Sequence, residues 1–222
     1  MIITGHRGAR GLAQENTLAA FKAALNHKVD EIEFDIRVTK DGIPVLYHDD
    51  VLHPEHGPNK PVRELTYDEI KTGFKEIFTL DEAIRAVDHR AHLLIEIKPD
   101  ESVEPIVAIV KKHLSTGWTH KEINFASFSF GTLVSLHAAL PEITCVVNEG
   151  WSSVRVRRRM KALSSTRCSM NQLWLWSFFI WAMSRRGYQV GTYTINNPGK
   201  ARRWEKAGLY AAITDFPDRF RD

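Results

Sequence analysis

Cysteine is scarce, with Cys145 and Cys168 the two in 222 residues, far apart and in no metal-binding spacing. That excludes a disulfide framework and a thiolate zinc site, and leaves two reduced core thiols. Long apolar runs are missing too. The longest, residues 173–183, is interrupted by Ser177 and falls short of the ~18 residues a spanning helix needs. No charged segment leading into an apolar stretch stands at the start, where Met1-Ile2-Ile3-Thr4 runs straight into Gly5-His6, so no secretory signal is expected. Neither sign of charge dominates: 30 Lys and Arg face 27 Asp and Glu, and a net +3 is too small to imply a nucleic-acid partner. The Gly5 loop fits neither the Walker nor the dinucleotide pattern, and no Ser-His-Asp or Cys nucleophile is indicated. What remains is an ordinary globular chain, 43% hydrophobic and 26% charged, expected in the cytoplasm.

Residues 30–50, DEIEFDIRVTKDGIPVLYHDD, are the stretch around which the chain is organised. Ile32, Phe34, Ile36 and Val38 alternate with Glu33, Asp35 and Arg37, the period of a strand. Glu33 and Asp35 therefore share a face, about 7 Å apart along the chain. Two carboxylates there are costly unless compensated, and a bound cation is the usual compensator. Asp41-Gly42 signals a turn into a second arm, residues 43–47, ending in His48. A turn centred there pairs residues whose numbers sum to about 83, which brings His48 opposite Asp35.

Strand patterns begin near residues 2, 31, 92, 122, 143, 166, 189 and 211, each followed by a helical pattern or the short tail. Eight alternating units predict a (β/α)8 TIM barrel over residues 1–222, with residues 49–78 as a short insertion forming a lid at the C-terminal mouth. Thr66 with Glu69, and Thr79 with Glu82, predict capping boxes. Ser102 is expected to cap the helix containing Pro105, and an aromatic helix is expected over residues 173–186. His6, Arg7, Glu33, Asp35, Glu96, Lys98, Ser127, Tyr193 and Asp215 all fall at or beyond strand ends, the face that carries chemistry in such barrels.

Glu33, Asp35 and Glu96 make an oxygen-only site suited to one divalent ion, Mg2+ or Ca2+. Arg7 and Lys98 add positive charge suited to a phosphate, and His6 and His48 supply a general acid and a general base. This reading is metal-assisted phosphodiester cleavage.

GHRGARG with ENTLAAF, then EIEFDIRVTKDGIPVLYHDD, IEIKP, SF, YTIN and ITDFP resemble, in order and across nearly the whole chain, the bacterial glycerophosphodiester phosphodiesterase family. The resemblance implies a TIM barrel that hydrolyses glycerophosphodiesters to glycerol 3-phosphate and an alcohol. It implies His6 and His48 as the acid–base pair, Glu33, Asp35 and Glu96 as metal ligands, and Arg7 and Lys98 as phosphate-binding groups. A family route has the substrate's own glycerol hydroxyl attack first, giving a cyclic phosphate that water opens; either histidine can act first. The sequence departs from the pattern at Gln14, where Pro is usual, and at Tyr193, a substrate-binding position where Trp is usual. Lysophospholipase D-like or phosphoinositide cleavage is the alternative, and a non-catalytic phosphodiester-binding module a further one. The basic and aromatic stretch 155–183 has two readings: an interfacial membrane-binding surface, or outer barrel helices, one packed inward, with pairing to another subunit open to them.

Overall fold

The chain, described over residues 1–220 in a computed structural model, is built on nine strands. In order they are β1 Ile2–Gly5, β2 Glu31–Val38, β3 Pro44–Leu46, β4 His92–Ile97, β5 Ile123–Ser127, β6 Thr144–Glu149, β7 Arg167–Asn171, β8 Gln189–Tyr193 and β9 Ala211–Thr214. All but β3 run parallel, and pairing of β1 with both β9 and β2 closes them into an eight-stranded barrel. The helices between them are α1 Leu18–Asn26, α2 Tyr67–Gly73, α3 Leu80–Val87, α4 Glu104–Leu114, α5 Phe130–Ala139, α6 Ser153–Ala162, α7 Ser177–Ser184 and α8 Pro198–Glu205. This is the expected TIM barrel, and every barrel strand starts within one residue of its expected position.

The alternation in β2 decides the interior. Ile32, Phe34 and Ile36 are fully buried in the layer between barrel and helices, together with Phe21, Leu93 and Ile95. The opposite face puts Glu31, Glu33 and Asp35 inside the barrel, all buried. The interior is layered. At the floor, Arg167 donates two hydrogen bonds to Glu31 at 2.6 and 2.8 Å, and Thr4 and Asn124 donate to the same carboxylate. An apolar layer of Leu94, Ala126, Val146 and Ile213 lies above it, flanked by Tyr193. The charged groups of the mouth come next. Sequence reading missed the floor pair, because Arg167 sits 136 residues from Glu31.

Both capping boxes form as expected. Three local expectations do not hold. Thr39 closes the β2–β3 turn by accepting the Ile43 N–H, Gly42 takes a left-handed φ of +80°, and the paired residues sum to 82. Tyr47 therefore stands opposite Asp35, and His48 follows it beyond the end of the strand. Ser102 is not the cap of α4: the helix begins at Glu104, with Val103 before it and Pro105 in its first turn. The aromatic helix is shorter than expected, because Asn171 accepts the Leu173 and Trp174 N–H groups and holds residues 173–176 in a loop.

Residues 51–77 contain two 3₁₀ turns and α2, and they fold around a small core of their own. Val45, Tyr47, Leu52, Val62, Leu65 and Ile70 are its centre.

A buried, bidentate ion pair is stable only while both partners are present. Arg167→Met should lower the unfolding free energy by roughly 3–5 kcal/mol, and Glu31→Leu combined with Arg167→Met should lower it by less. Urea denaturation with an unchanged m-value checks both.

Candidate active site

The loop after β1 is shaped by close approach. A Cβ on Gly5 would meet the Gly8 carbonyl oxygen at 2.2 Å, and one on Gly8 would meet the Ala20 backbone at 2.7 Å. With these glycines the backbone turns tightly enough for the Arg7 N–H to donate to Glu33 Oε2 at 2.9 Å. Arg7 itself takes a left-handed φ of 50°, which turns its side chain across the mouth. Its Nη1 donates to Glu15 at 2.6 Å, and its Nε lies 3.1 Å from Asp35 Oδ2, outside hydrogen-bonding geometry.

Glu33 and Asp35 come from one face of β2, and Glu96 from the adjacent β4, where Asp35 and Glu96 are register partners. Oxygens of the three carboxylates lie within 4.8 Å of one another, all buried. Lys98, two residues past Glu96 on the same face, places Nζ 2.5 Å from both Asp35 Oδ1 and Glu96 Oε1. Asn16 donates to Asp35 at 3.0 Å and Asn148 to Glu96 at 2.8 Å.

These contacts split the three carboxyl groups. Burial pushes Glu33 well above the usual carboxylate range, and the charges of Asp35 and Glu96 push it further. Asp35 feels burial too, but Lys98, Arg7 and His48 outweigh it and pull the group down to about 2. Glu96 is raised by burial and by Asp35, with Lys98 opposing. Burial works against the Lys98 ammonium, yet Asp35 and Glu96 hold it above its ordinary value. Three carboxylates thus face two cations, one of them shared with Glu15.

The two histidines arrive from separate segments. His6, just past β1, donates from Nδ1 to Asp215 Oδ1 at 2.6 Å, and Asn196 holds the other oxygen at 2.8 Å. His48 places Nδ1 2.7 Å from Asp49 Oδ1. Both rings line one cavity of about 250 Å3, together with Arg7, Lys98, the three carboxylates and Tyr193. The Tyr193 hydroxyl donates to the Glu149 carbonyl at 2.9 Å, and Phe128 packs edge-on against its ring. Tyr193 therefore offers the cavity an aromatic wall. A neighbouring hollow of about 280 Å3, lined by Tyr47, His53, His56 and Phe74, shares His48.

The eight residues given catalytic, metal or substrate roles from the sequence line this cavity, whereas Ser127 turns its hydroxyl to the Ile97 carbonyl and Asp215 reaches the site only through His6. Asn16, Asp49, Asn148 and Asn196 were not assigned a part there. Asn148 carried a usable signal as the polar end of a strand with Val146 and Val147 before it, whereas Asn196 reaches Asp215 through the β8–β9 loop geometry alone.

The donor set fits a hard divalent cation. It is all oxygen, its charge is not balanced by Arg7 and Lys98, and Asn148 Oδ1 is buried beside Glu96 with no partner.

A family model described as the glycerophosphoryl diester phosphodiesterase family matches residues 6–219. The Bacillus subtilis protein YhdW is 30% identical, over 98% of this chain and 96% of that one. A glycerophosphodiester phosphodiesterase of Bacillus altitudinis is 26% identical over 98% and 95%. Among solved structures, an Oleispira antarctica phosphodiesterase in complex with the product sn-glycerol-3-phosphate superposes with a TM-score of 0.87. It is 27% identical, covering 99% of this chain and 95% of that one.

A cation held by the three carboxylates would stabilise the folded chain by mass action. At one hundred times its dissociation constant the gain is about 2.7 kcal/mol, a rise in Tm of roughly 5–10 °C for a domain of this size. Calorimetry should show that rise with Mg2+ or Ca2+ against EDTA, and should show none in Asp35→Ala.

Proposed function

The chain belongs to the glycerophosphoryl diester phosphodiesterase family, and from that premise we propose that it hydrolyses glycerophosphodiesters to glycerol 3-phosphate and an alcohol. In this reading one divalent cation, Mg2+ or Ca2+, sits on Glu33, Asp35 and Glu96. The observation that carries it is the convergence, in one cavity, of two His–Asp pairs and a buried three-carboxylate cluster flanked by Arg7 and Lys98.

When bound, the cation supplies Lewis-acid polarisation of the phosphoryl oxygens. The chain's own residues do the rest. Arg7 and Lys98 hold the phosphate and offset the charge that accumulates on it. With Nδ1 tied to an aspartate, each imidazole keeps Nε2 for the reaction. One takes the proton of the attacking hydroxyl, from water or from the substrate's own glycerol, and the other gives a proton to the leaving oxygen. Asp215 and Asp49 fix the tautomers and steady the imidazolium that forms. Tyr193 and Phe128 wall the cavity, and residues 49–78 serve as a small lid beside His48, with the second hollow as room for the leaving alcohol.

The reading in which the substrate is an acylated lipid draws on the exposed Phe128 ring at the mouth. Against it, a cavity of about 250 Å3 is smaller than the roughly 300–1,000 Å3 of sites that enclose drug-sized ligands. An acyl chain would have to lie outside it.

Release of glycerol 3-phosphate from glycerophosphocholine should stop with EDTA and return with Mg2+ or Ca2+. His48→Ala should lose roughly 10²–10⁴-fold in kcat, with KM nearly unchanged. Cleavage of acylated lysophospholipids alone would favour the second reading, and no turnover of either by folded, metal-loaded protein would exclude both.

Asp215→Asn removes the charge that steadies the His6 imidazolium and one of the two acceptor oxygens that His6 and Asn196 use, while keeping the size of the side chain. Its kcat should fall and the pH–rate profile should shift, with glycerophosphocholine KM held within a few-fold. An unchanged profile would remove Asp215 from the mechanism.

A further inference from the structure

Residues 150–204 contain no Asp or Glu, against eleven Lys and Arg, which leaves a net −8 on the rest of the sequence. The same segment holds, among the described residues, every large apolar side chain that is half exposed or more. Leu173 reaches 78%, Phe178 69%, Val154 67% and Trp151 65%, with Trp174, Trp176 and Trp181 between 50 and 58%. Exposed apolar groups are ordinary when scattered and mark a contact surface when gathered.

The fold gathers these. β6 and β7 are neighbours and both end at the mouth of the barrel. Trp151 stands in the loop after β6, Leu173, Trp174 and Trp176 in the loop after β7, and Phe178 in the first turn of α7. The inner stripe of α7, Phe179, Ile180 and Met183, already fills the core, so Phe178 and Trp181 have no barrel to pack on.

The cations sit behind this apolar rim. α6 and α7 start at the mouth and run back along the barrel, carrying Arg157, Arg158 and Lys161, and then Arg185 and Arg186 after α7. At about 1.5 Å per residue they lie roughly 5–12 Å behind the apolar tip. Among the described residues none of these five forms an ion pair. The arrangement, an apolar tip with a basic collar one to two turns behind it, matches the depth profile of a membrane interface, where acyl chains and headgroup phosphates are separated by a similar distance. A second copy of the chain is a poor fit, because an isologous contact would set uncompensated cations against each other. Single-stranded nucleic acid would use the tryptophans for stacking but gives Leu173 and Val154 nothing to bury against.

We propose that this rim docks on an anionic lipid surface, its apolar side chains entering the headgroup region and its cations meeting lipid phosphates, so that the barrel mouth faces the bilayer. Docking does not depend on the reaction assigned to the mouth. Among the described residues no helix is long and apolar enough to cross a membrane, and the proposed contact is a peripheral one.

Co-sedimentation with vesicles of phosphatidylcholine alone, and of phosphatidylcholine with phosphatidylglycerol, tests it. The full chain should bind the phosphatidylglycerol vesicles roughly tenfold or more tighter, with affinity falling as salt rises. Tryptophan emission should shift to the blue on binding. Trp174→Ser with Phe178→Ser, and separately Arg157→Glu with Arg158→Glu, should each lose this binding while keeping circular dichroism and glycerophosphocholine turnover. If a variant fails to fold, the comparison of the two vesicles with the unaltered chain still decides. The proposal is overturned if the chain binds neither vesicle, if both bind equally and without salt dependence, or if an oligonucleotide binds where vesicles do not. A dimer in light scattering that Trp174→Ser with Phe178→Ser dissolves, without vesicle binding, would give the surface to a second copy instead.

Discussion

Burial of Glu33, Asp35 and Glu96 inside one end of the barrel is the constraint on which the rest of the mouth depends. Carboxylates taken out of water need compensation, and the chain supplies most of it but not all. Lys98 bridges Asp35 and Glu96, Arg7 approaches Asp35 and offers its backbone N–H to Glu33, and two asparagines occupy further lone pairs. The remainder is a negative cavity in which one carboxyl is held far from its ordinary range and another is pulled down to about 2. In the proposed function a divalent cation and a phosphate together would complete that balance, each supplying the charge that the other needs.

The barrel meets the same problem differently at its floor. Glu31 shares the inward face of β2 with Glu33 and Asp35, but its two oxygens take four donor contacts from Thr4, Asn124 and Arg167. The Glu31 carboxylate at the floor is fully paired, with Arg167 Nε left without an acceptor, whereas the mouth is left short of positive charge. One strand with three inward carboxylates thus carries both a structural ion pair and the candidate chemistry, separated by the apolar layer of Leu94, Ala126, Val146 and Ile213.

Much of this was legible in the sequence for physical reasons. Period-2 alternation places Glu33 and Asp35 on one face whatever their partners are, and eight strand–helix repeats leave few topologies. Glu96 and Lys98 were legible for the same reason. What failed was set by side chains that the pattern does not weigh. Thr39 shifts the hairpin register by one, which turns Tyr47 toward the core of the insertion while His48 still reaches the mouth from beyond the strand. Asn171 unwinds the first turn expected of the aromatic helix and so puts Trp174 and Trp176 on the rim. Arg167, the partner of Glu31, and Asn196, the partner of Asp215, are long-range or loop-borne contacts that no local period encodes.

The most direct measurement is an anomalous-difference map from crystals grown with Mn2+ and glycerol 3-phosphate. The account predicts one metal peak with an oxygen of each of Glu33, Asp35 and Glu96 at roughly 2.0–2.6 Å. It also predicts the phosphate against Lys98 and Arg7, with the His6 and His48 rings on opposite sides of it. A metal bound elsewhere, or a phosphate that both histidines approach from the same side, would contradict it.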